Sequence, residues 1–217
     1  MGRSDMKQKI LLFDFDGVLV DSMPYWGRKV LNILDFHHVE YPADIIKVLA
    51  TKGDLGTALY FREEFGIPMS VEEILRKMDE YALPKYRDEI PAKESVVCRL
   101  QNWHEQGYRL SVLTASPHKM LDPCLKRLGV FDLFEHAWST DDFGLPKTDP
   151  EIYRQAALRL GARVEEIAFF DDNVNAVRTA AAAGMFTVGV FDPSGEEYAE
   201  QIKAIADLYV RSFAELQ

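Results

Sequence analysis

Five short runs of the chain are apolar and rich in β-branched or aromatic residues: Lys9–Asp14, Tyr108–Thr114, His136–Ser139, Glu166–Asp171 and Thr187–Phe191. Runs of this length and make-up predict strands. From the second onward, segments with helical spacing alternate with them. Ser95–Gln106 ends at Gly107, Pro117–Leu128 at Gly129, and Asn173–Ala183 at Gly184, each glycine placed as a helix stop. Asp149, Pro150 and Glu151 read as N-cap, N1 and N2 of a helix reaching about Leu160, with Gly161 behind it. Strand and helix in alternation predict an α/β fold, a parallel sheet with helices on both faces.

The stretch from Asp21 to Ile90 breaks that rhythm. It holds no convincing strand and reads as four helices: Tyr25–Phe36, Pro42–Ala50, Thr57–Phe65 and Val71–Ala82. Gly53, Gly56, Gly66, Pro68 and Pro84 punctuate them. A usual βα connection takes only ~2–6 residues. The expected organisation is therefore an α-helical domain at 21–90 inserted into an α/β domain made of 1–20 and 91–217. The simpler alternative is that these helices pack directly on the sheet.

Composition narrows the function. Lysine and arginine number 25 against 35 aspartates and glutamates, a formal charge of −10. That balance excludes nucleic-acid binding by a broad basic surface. If this acidic chain handles an anion, it needs a local cation or a metal. Cys98 and Cys124 cannot build a disulfide framework and form no C-x-x-C, which fits a reduced, cytoplasmic setting. Met1–Lys7 carries no apolar segment of a signal peptide. Met1-Gly2 lacks the Ser or Thr that myristoylation wants at position 6, where Met6 stands. The longest uncharged run, Thr179–Phe191, is too short to span a bilayer and is divided by Gly184, so no membrane segment is expected.

The chemistry collects at the C-terminal ends of the predicted strands, where open α/β sheets bind ligands. The first run ends in Asp14-Phe15-Asp16-Gly17-Val18. Two carboxylates on an apolar strand are costly without a cation, and Gly17 allows a turn that exposes backbone N–H groups. The second ends in Thr114-Ala115-Ser116-Pro117, a hydroxyl before a helix N-terminus that can receive an anion. Lys147 lies between a turn and a capped helix in Gly144-Leu145-Pro146-Lys147-Thr148-Asp149-Pro150. The fourth run ends in Asp171-Asp172-Asn173. Taken singly, these are a turn, a helix cap and a surface lysine. Two strands each ending in an acidic pair suit a hard cation with few protein oxygens, Mg²⁺ above others.

In this order, the four segments resemble the motifs of the haloacid dehalogenase superfamily of phosphatases and phosphotransferases, over about residues 9–192. Leu145–Tyr153 and the helical stretch are similar to its small helical-cap subgroup, which includes phosphoglycolate phosphatases and β-phosphoglucomutases. The resemblance implies a Rossmann-like core and two-step phosphoryl transfer. Asp14 would attack phosphorus and become an aspartyl phosphate. Asp16 would protonate the leaving oxygen, then activate water. Thr114 and the N–H of Ala115 would hold phosphate oxygens, with Gly17 in the turn beside them, and Lys147 would neutralise charge and orient Asp14. Mg²⁺ would be held by Asp14, the Asp16 carbonyl and Asp172, with Asp171 direct or through water. The partner would be a small phosphate ester, with Trp26 and Lys52 of the cap as candidate substrate contacts.

Rival readings remain open at this point. Dehalogenases lack an acid at the position of Asp16. The hexose-phosphate mutases carry a His where this chain has Trp26, and an indole cannot handle protons. Signalling receiver domains place the acidic pair before the phosphorylated Asp and have no insert. No G-x-G-x-x-G occurs, and Gly184 to Gly189 has P-loop spacing without its Lys. His37, His38, His104 and His136 show no metal spacing; His118, close behind Thr114, is a further candidate to face the site.

Overall fold

The computed structural model describes residues 7–50 and 52–216, so the readings that touch Met1, Gly2, Met6 and Thr51 lie outside the described residues. Two compact units make up the chain: Met1–Asp21 with Ile90–Gln217, and Ser22–Glu89. In chain order, β1 (Ile10–Phe13) is followed by four helices of the second unit, α1 (Met23–Phe36), α2 (Ile45–Ala50), α3 (Gly53–Phe65) and α4 (Val71–Asp88). The first unit resumes with α5 (Val96–Glu105), β2 (Arg109–Thr114), α6 (His118–Arg127), β3 (Phe134–Ser139), α7 (Pro150–Arg159) and β4 (Ile167–Asp171). It closes with α8 (Val174–Ala183), β5 (Phe186–Val190), α9 (Ala199–Ile205) and β6 (Leu208–Val210).

The strands form one parallel sheet in the order β3-β2-β1-β4-β5-β6. The α/β class expected from the alternation and the Rossmann-like core that the resemblance implies both hold. The inner strands are mostly apolar and buried because both faces are covered. On one face, Leu12, Leu113, Ile167 and Phe169 pack with Ile152, Tyr153 and Ala156 of α7 and Ala176 and Ala180 of α8. On the other, the Phe13 ring stacks on Phe170 at 4.6 Å, with Trp103 of α5 at 5.9 Å and Phe213 at 6.2 Å. Each such fully buried ring contributes about 2–3 kcal/mol, and Phe13→Ala would cost about 3–5 kcal/mol.

This strand order reverses the direction of chain progress between β1 and β4, the switch point where α/β sheets bind ligands. The register sets Phe13 beside Phe170, and the Asp14 N–H extends the ladder to the Phe170 carbonyl at 2.8 Å. The first residue past β1 is therefore placed beside Asp171 at the end of β4 by strand pairing alone.

The second unit buries Val30 and Leu34 of α1, Leu49 of α2, Ala58 and Phe61 of α3, and Ile74 and Met78 of α4. Ser70 and Glu73 form a reciprocal capping box that starts α4. No helix among the described residues is long and apolar enough to cross a membrane.

The sequence reading departs from the structure in several places. Helix α4 runs through Pro84 to Asp88, because Met78, Ala82 and Tyr86 extend its buried stripe beyond the proline. Packing of that stripe outweighs the lost backbone hydrogen bond. Gly56 lies inside α3, carried by the buried Thr57, Ala58 and Phe61. The helix expected from Pro42 begins at Ile45, whose N–H first closes a turn onto the Pro42 carbonyl at 3.0 Å. Helix α9 and the three-residue edge strand β6 have no counterpart in the sequence reading.

Candidate active site

Three of the four strand-end segments meet at the β1–β4 switch point. The Lys147 ammonium lies 2.7 Å from Asp14 Oδ1 and 2.8 Å from Asp171 Oδ2. Asp171 also accepts the Asn173 N–H at 2.7 Å, which fixes its carboxylate at the start of α8. Asp14, Asp171 and Asp172 offer carboxylate oxygens that all lie within 4.8 Å of one another. Asp14 and Asp171 are buried, Asp172 half-buried.

Lys147 is not a surface lysine. The loop before α7 carries it inward, and the Tyr153 hydroxyl holds that loop by donating to the Lys147 carbonyl at 3.0 Å, shared with the Ala176 carbonyl at 3.2 Å. Asp149 caps α7 by accepting the Glu151 N–H at 2.9 Å, as the sequence predicts.

One ammonium faces three carboxylates, and the electrostatics register the shortfall. Burial, opposed by Lys147 and aided by Asp171, pushes the Asp14 carboxyl up to about 7. Burial and the neighbouring Asp171 and Asp14 raise Asp172 well above the ordinary carboxylate range. For Lys147, burial favours the neutral amine, but Asp14 and Asp171 outweigh it and hold the ammonium firmly protonated. Asp14 Oδ1 is buried and accepts no directed hydrogen bond, Lys147 lying close but off its axis. Uncompensated carboxylates with an orphaned buried oxygen fit a hard divalent cation, and an all-oxygen donor set suits Mg²⁺.

Around this centre, Thr114 is buried at the end of β2, and its Oγ1 accepts the Ser116 N–H at 3.1 Å. That bond leaves the threonine O–H able to donate to an oxyanion. The hydroxyl of Ser116 donates to Asp16 Oδ2. Gly17 takes a different part from the one the sequence suggests. Its N–H is spent on the Val20 carbonyl at 3.0 Å, and its carbonyl accepts the Lys93 ammonium at 2.6 Å. With φ at +73°, a Cβ here would lie 2.5 Å from Asp172 Oδ2. Glycine is needed so that the turn and Asp172 can approach each other.

The exposed His118 spends both ring nitrogens on carboxylates, Asp122 at 3.0 Å and Asp142 at 2.9 Å. Hydrogen bonds to Asp122 and then Asp142 raise its pKa. His136 stacks on Trp138 with centroids 4.4 Å apart, and His37 lies against the Met69 sulfur. Trp26 and Lys52 belong to the helical unit. Lys29 lies 5.8 Å over the Trp26 ring and pairs with Asp54 at 2.7 Å. Lys52 is the exposed N-cap residue of α3, and its ammonium stands 4.7 Å over the Tyr60 ring.

The sequence reading missed four supporting groups: Tyr153, Ser116, Lys93 and Asp192. Lys93 joins the Gly17 carbonyl, the Phe191 carbonyl at 2.7 Å and Asp192 Oδ2 at 3.1 Å, pinning the turn after Asp16 to the end of β5. Ser116 and Tyr153 stood inside quoted segments without a role assigned to them. Lys93 and Asp192 carried no signal, because tertiary contact alone gives them a role.

Comparison with known proteins gives one answer. The profile of the haloacid dehalogenase-like hydrolases matches residues 8–184. The chain is 29% identical over 206 residues to a putative phosphatase of Bacillus subtilis, covering 92% of this chain and 93% of that protein. It is 25% identical to hexitol phosphatase B of Escherichia coli K12, covering 94% and 92%. A predicted phosphoglycolate phosphatase from Haemophilus somnus superposes with a TM-score of 0.80 at 20% identity, over 97% and 96% of the two chains.

Proposed function

This chain belongs to the haloacid dehalogenase-like hydrolases and is a phosphatase of that family; from that premise we propose that it hydrolyses a small phosphate monoester through an aspartyl phosphate on Asp14, with Mg²⁺ as cofactor. The observation that carries the proposal is the Lys147 ammonium between Asp14 and Asp171, beside a third carboxylate. Asp14, the Asp16 carbonyl and Asp172 hold the cation in this reading, with Asp171 direct or through water. When bound, Mg²⁺ supplies the charge neutralisation that lets a carboxylate approach a phosphate dianion.

The chain's own groups divide the remaining work. Lys147 holds Asp14 in place and screens it from the phosphate charge. Asp14 forms a bond to phosphorus as the ester P–O bond breaks, and Asp16 gives its proton to the departing oxygen. Thr114 and the Ala115 N–H hold the phosphoryl oxygens. Asp16 then takes a proton from water as that water attacks phosphorus, releasing inorganic phosphate and restoring Asp14.

The helical unit, residues 22–89, serves in this reading as the cap that selects substrates. Its Trp26 supports hydrolysis over a hexose-phosphate mutase, since an indole, a donor only, cannot shuttle protons. The named relatives support sugar or polyol phosphates as the class to try first. The test is a panel of phosphate esters assayed with Mg²⁺, with chelator, and with Ca²⁺. Phosphate release should require Mg²⁺, stop on chelation and be inhibited by Ca²⁺, whose looser shell misplaces Asp14. Full turnover in excess chelator would refute the metal assignment. Conversion of β-glucose 1-phosphate to glucose 6-phosphate without phosphate release would promote the mutase.

A further inference from the structure

Ser116 joins two loops that the proposed chemistry needs at once. It follows Thr114 and Ala115 in the connection between β2 and α6. Its backbone N–H donates to Thr114 Oγ1 at 3.1 Å, and its side-chain hydroxyl donates to Asp16 Oδ2 in the turn after β1. One residue thus ties the phosphate-holding hydroxyl to the acid–base carboxyl.

We infer that Ser116 is a positioning residue for Asp16, its hydroxyl on Oδ2 fixing the plane of the carboxyl that serves the leaving group. The inference rests on the acid–base role proposed for Asp16. A carboxyl in a turn after a strand turns about two side-chain bonds. It must hand over its proton from a defined oxygen as the ester P–O bond breaks and the Asp14–phosphorus bond forms. A hydroxyl donor on Oδ2 restrains that rotation. The hydroxyl can serve both protonation states, because Oδ2 accepts its hydrogen bond as a carboxylate oxygen or as the carbonyl oxygen of the neutral acid. The anchor therefore survives the proton transfer. Misplacing a reacting group by about 1 Å can cost about 10²-fold in rate.

A merely structural part for Ser116, bracing the loop around Thr114, would affect every ester alike. Positioning of the general acid would not, because leaving groups differ in their need for a proton. Phenyl phosphate and p-nitrophenyl phosphate share ring and phosphoryl group, but phenolate is much the poorer leaving group. The experiment measures kcat/KM for both, which reports the steps up to transfer onto Asp14. In Ser116→Ala the phenyl to p-nitrophenyl ratio should fall by about tenfold or more. Ser116→Cys, which keeps the volume but is a weak donor, should behave the same way, and Ser116→Thr should restore the ratio to within about threefold. Melting curves verify that each variant is folded. Asp16→Asn is the control and should lower the ratio further. An equal loss on both esters in Ser116→Ala and Ser116→Cys, with the control behaving as expected, overturns the inference alone. A ratio unchanged in Asp16→Asn overturns the acid–base role itself, and the inference with it.

Discussion

Lys147 and Lys29 are both buried ammoniums held by aspartate, their side chains 12% and 7% exposed. Their surroundings differ. Lys147 has one carboxylate on each side and a third beside them, and Asp171 has no exposed side-chain surface. Lys29 pairs with Asp54, whose side chain is 39% exposed. In the helical unit the charges balance and water reaches the carboxylate, which is what an ion pair that orders two helices requires. In the α/β unit one ammonium stands against three carboxylates, of which Asp171 is closed to solvent. A buried centre that remains over-supplied with carboxylate is built around a ligand that brings positive charge. Charge count and solvent access, more than burial of the lysine, separate a structural pair from a functional one.

The largest expected effect comes from emptying the unbalanced centre. Asp14→Asn removes the proposed nucleophile and should abolish measurable turnover. It also removes one of the crowded carboxylates. The metal-free variant should therefore melt higher than the metal-free parent, by on the order of 2–4 °C per kcal/mol regained. Asp16→Asn lies outside the crowded cluster and should cost ~10²–10⁴-fold in rate. Retained turnover in Asp14→Asn, or a lower melting temperature, would remove the basis for treating the centre as over-charged.

The second effect is on pH. Asp14 is pushed from the ordinary carboxylate range, 3.8, up to about 7. The fold therefore favours its neutral form. In chelator, the contribution of Asp14 to stability should be full below about pH 4, decline as the pH rises toward about 7 and be lost above, on the order of a few kcal/mol in all. Saturating Mg²⁺ should flatten that decline, since the cation binds the ionised form. Thermal melts across pH with and without Mg²⁺ check both statements, and a decline of equal size in both would count against the metal. Tyr153→Phe tests the support of Lys147 and should cost about 1–3 kcal/mol for the unsatisfied carbonyls it leaves, with a kcat loss that Mg²⁺ does not repair.

How far this was legible in the sequence follows from what each residue depends on. The α/β class could be read because Leu11–Phe13 and Ile167–Phe170 advertise strands by composition, and Gly107, Gly129 and Gly184 mark where helices stop. Asp14 and Asp171 stand out because two separate apolar strands each end in a pair of carboxylates. Their adjacency is a property of register, which a sequence does not print. Pro84 misled because a local rule gave way to the buried stripe of Met78, Ala82 and Tyr86. Strand β6 is too short for a period to appear. Lys93, with its three partners at Gly17, Phe191 and Asp192, looks like any lysine until the chain is folded.

The smallest effect sharpens the contrast between the two lysines. Lys147→Met strands carboxylates that are already in excess, with Asp171 wholly buried, and should cost about 3–5 kcal/mol in metal-free protein. Lys29→Met keeps the apolar stem that packs in the helical unit and removes only the ammonium. Asp54 then loses a partner but not water, because it is partly exposed. The expected change is under about 1 kcal/mol, and it should shrink further in salt, as for other ion pairs open to solvent. A double-mutant cycle of Lys29→Met with Asp54→Asn should return a coupling below about 1 kcal/mol, whereas the coupling of Lys147→Met with Asp171→Asn should be several times larger. Equal couplings would mean that burial of the ammonium alone sets the strength of these pairs. Solvent access at the carboxylate would then lose its place as the feature that separates them.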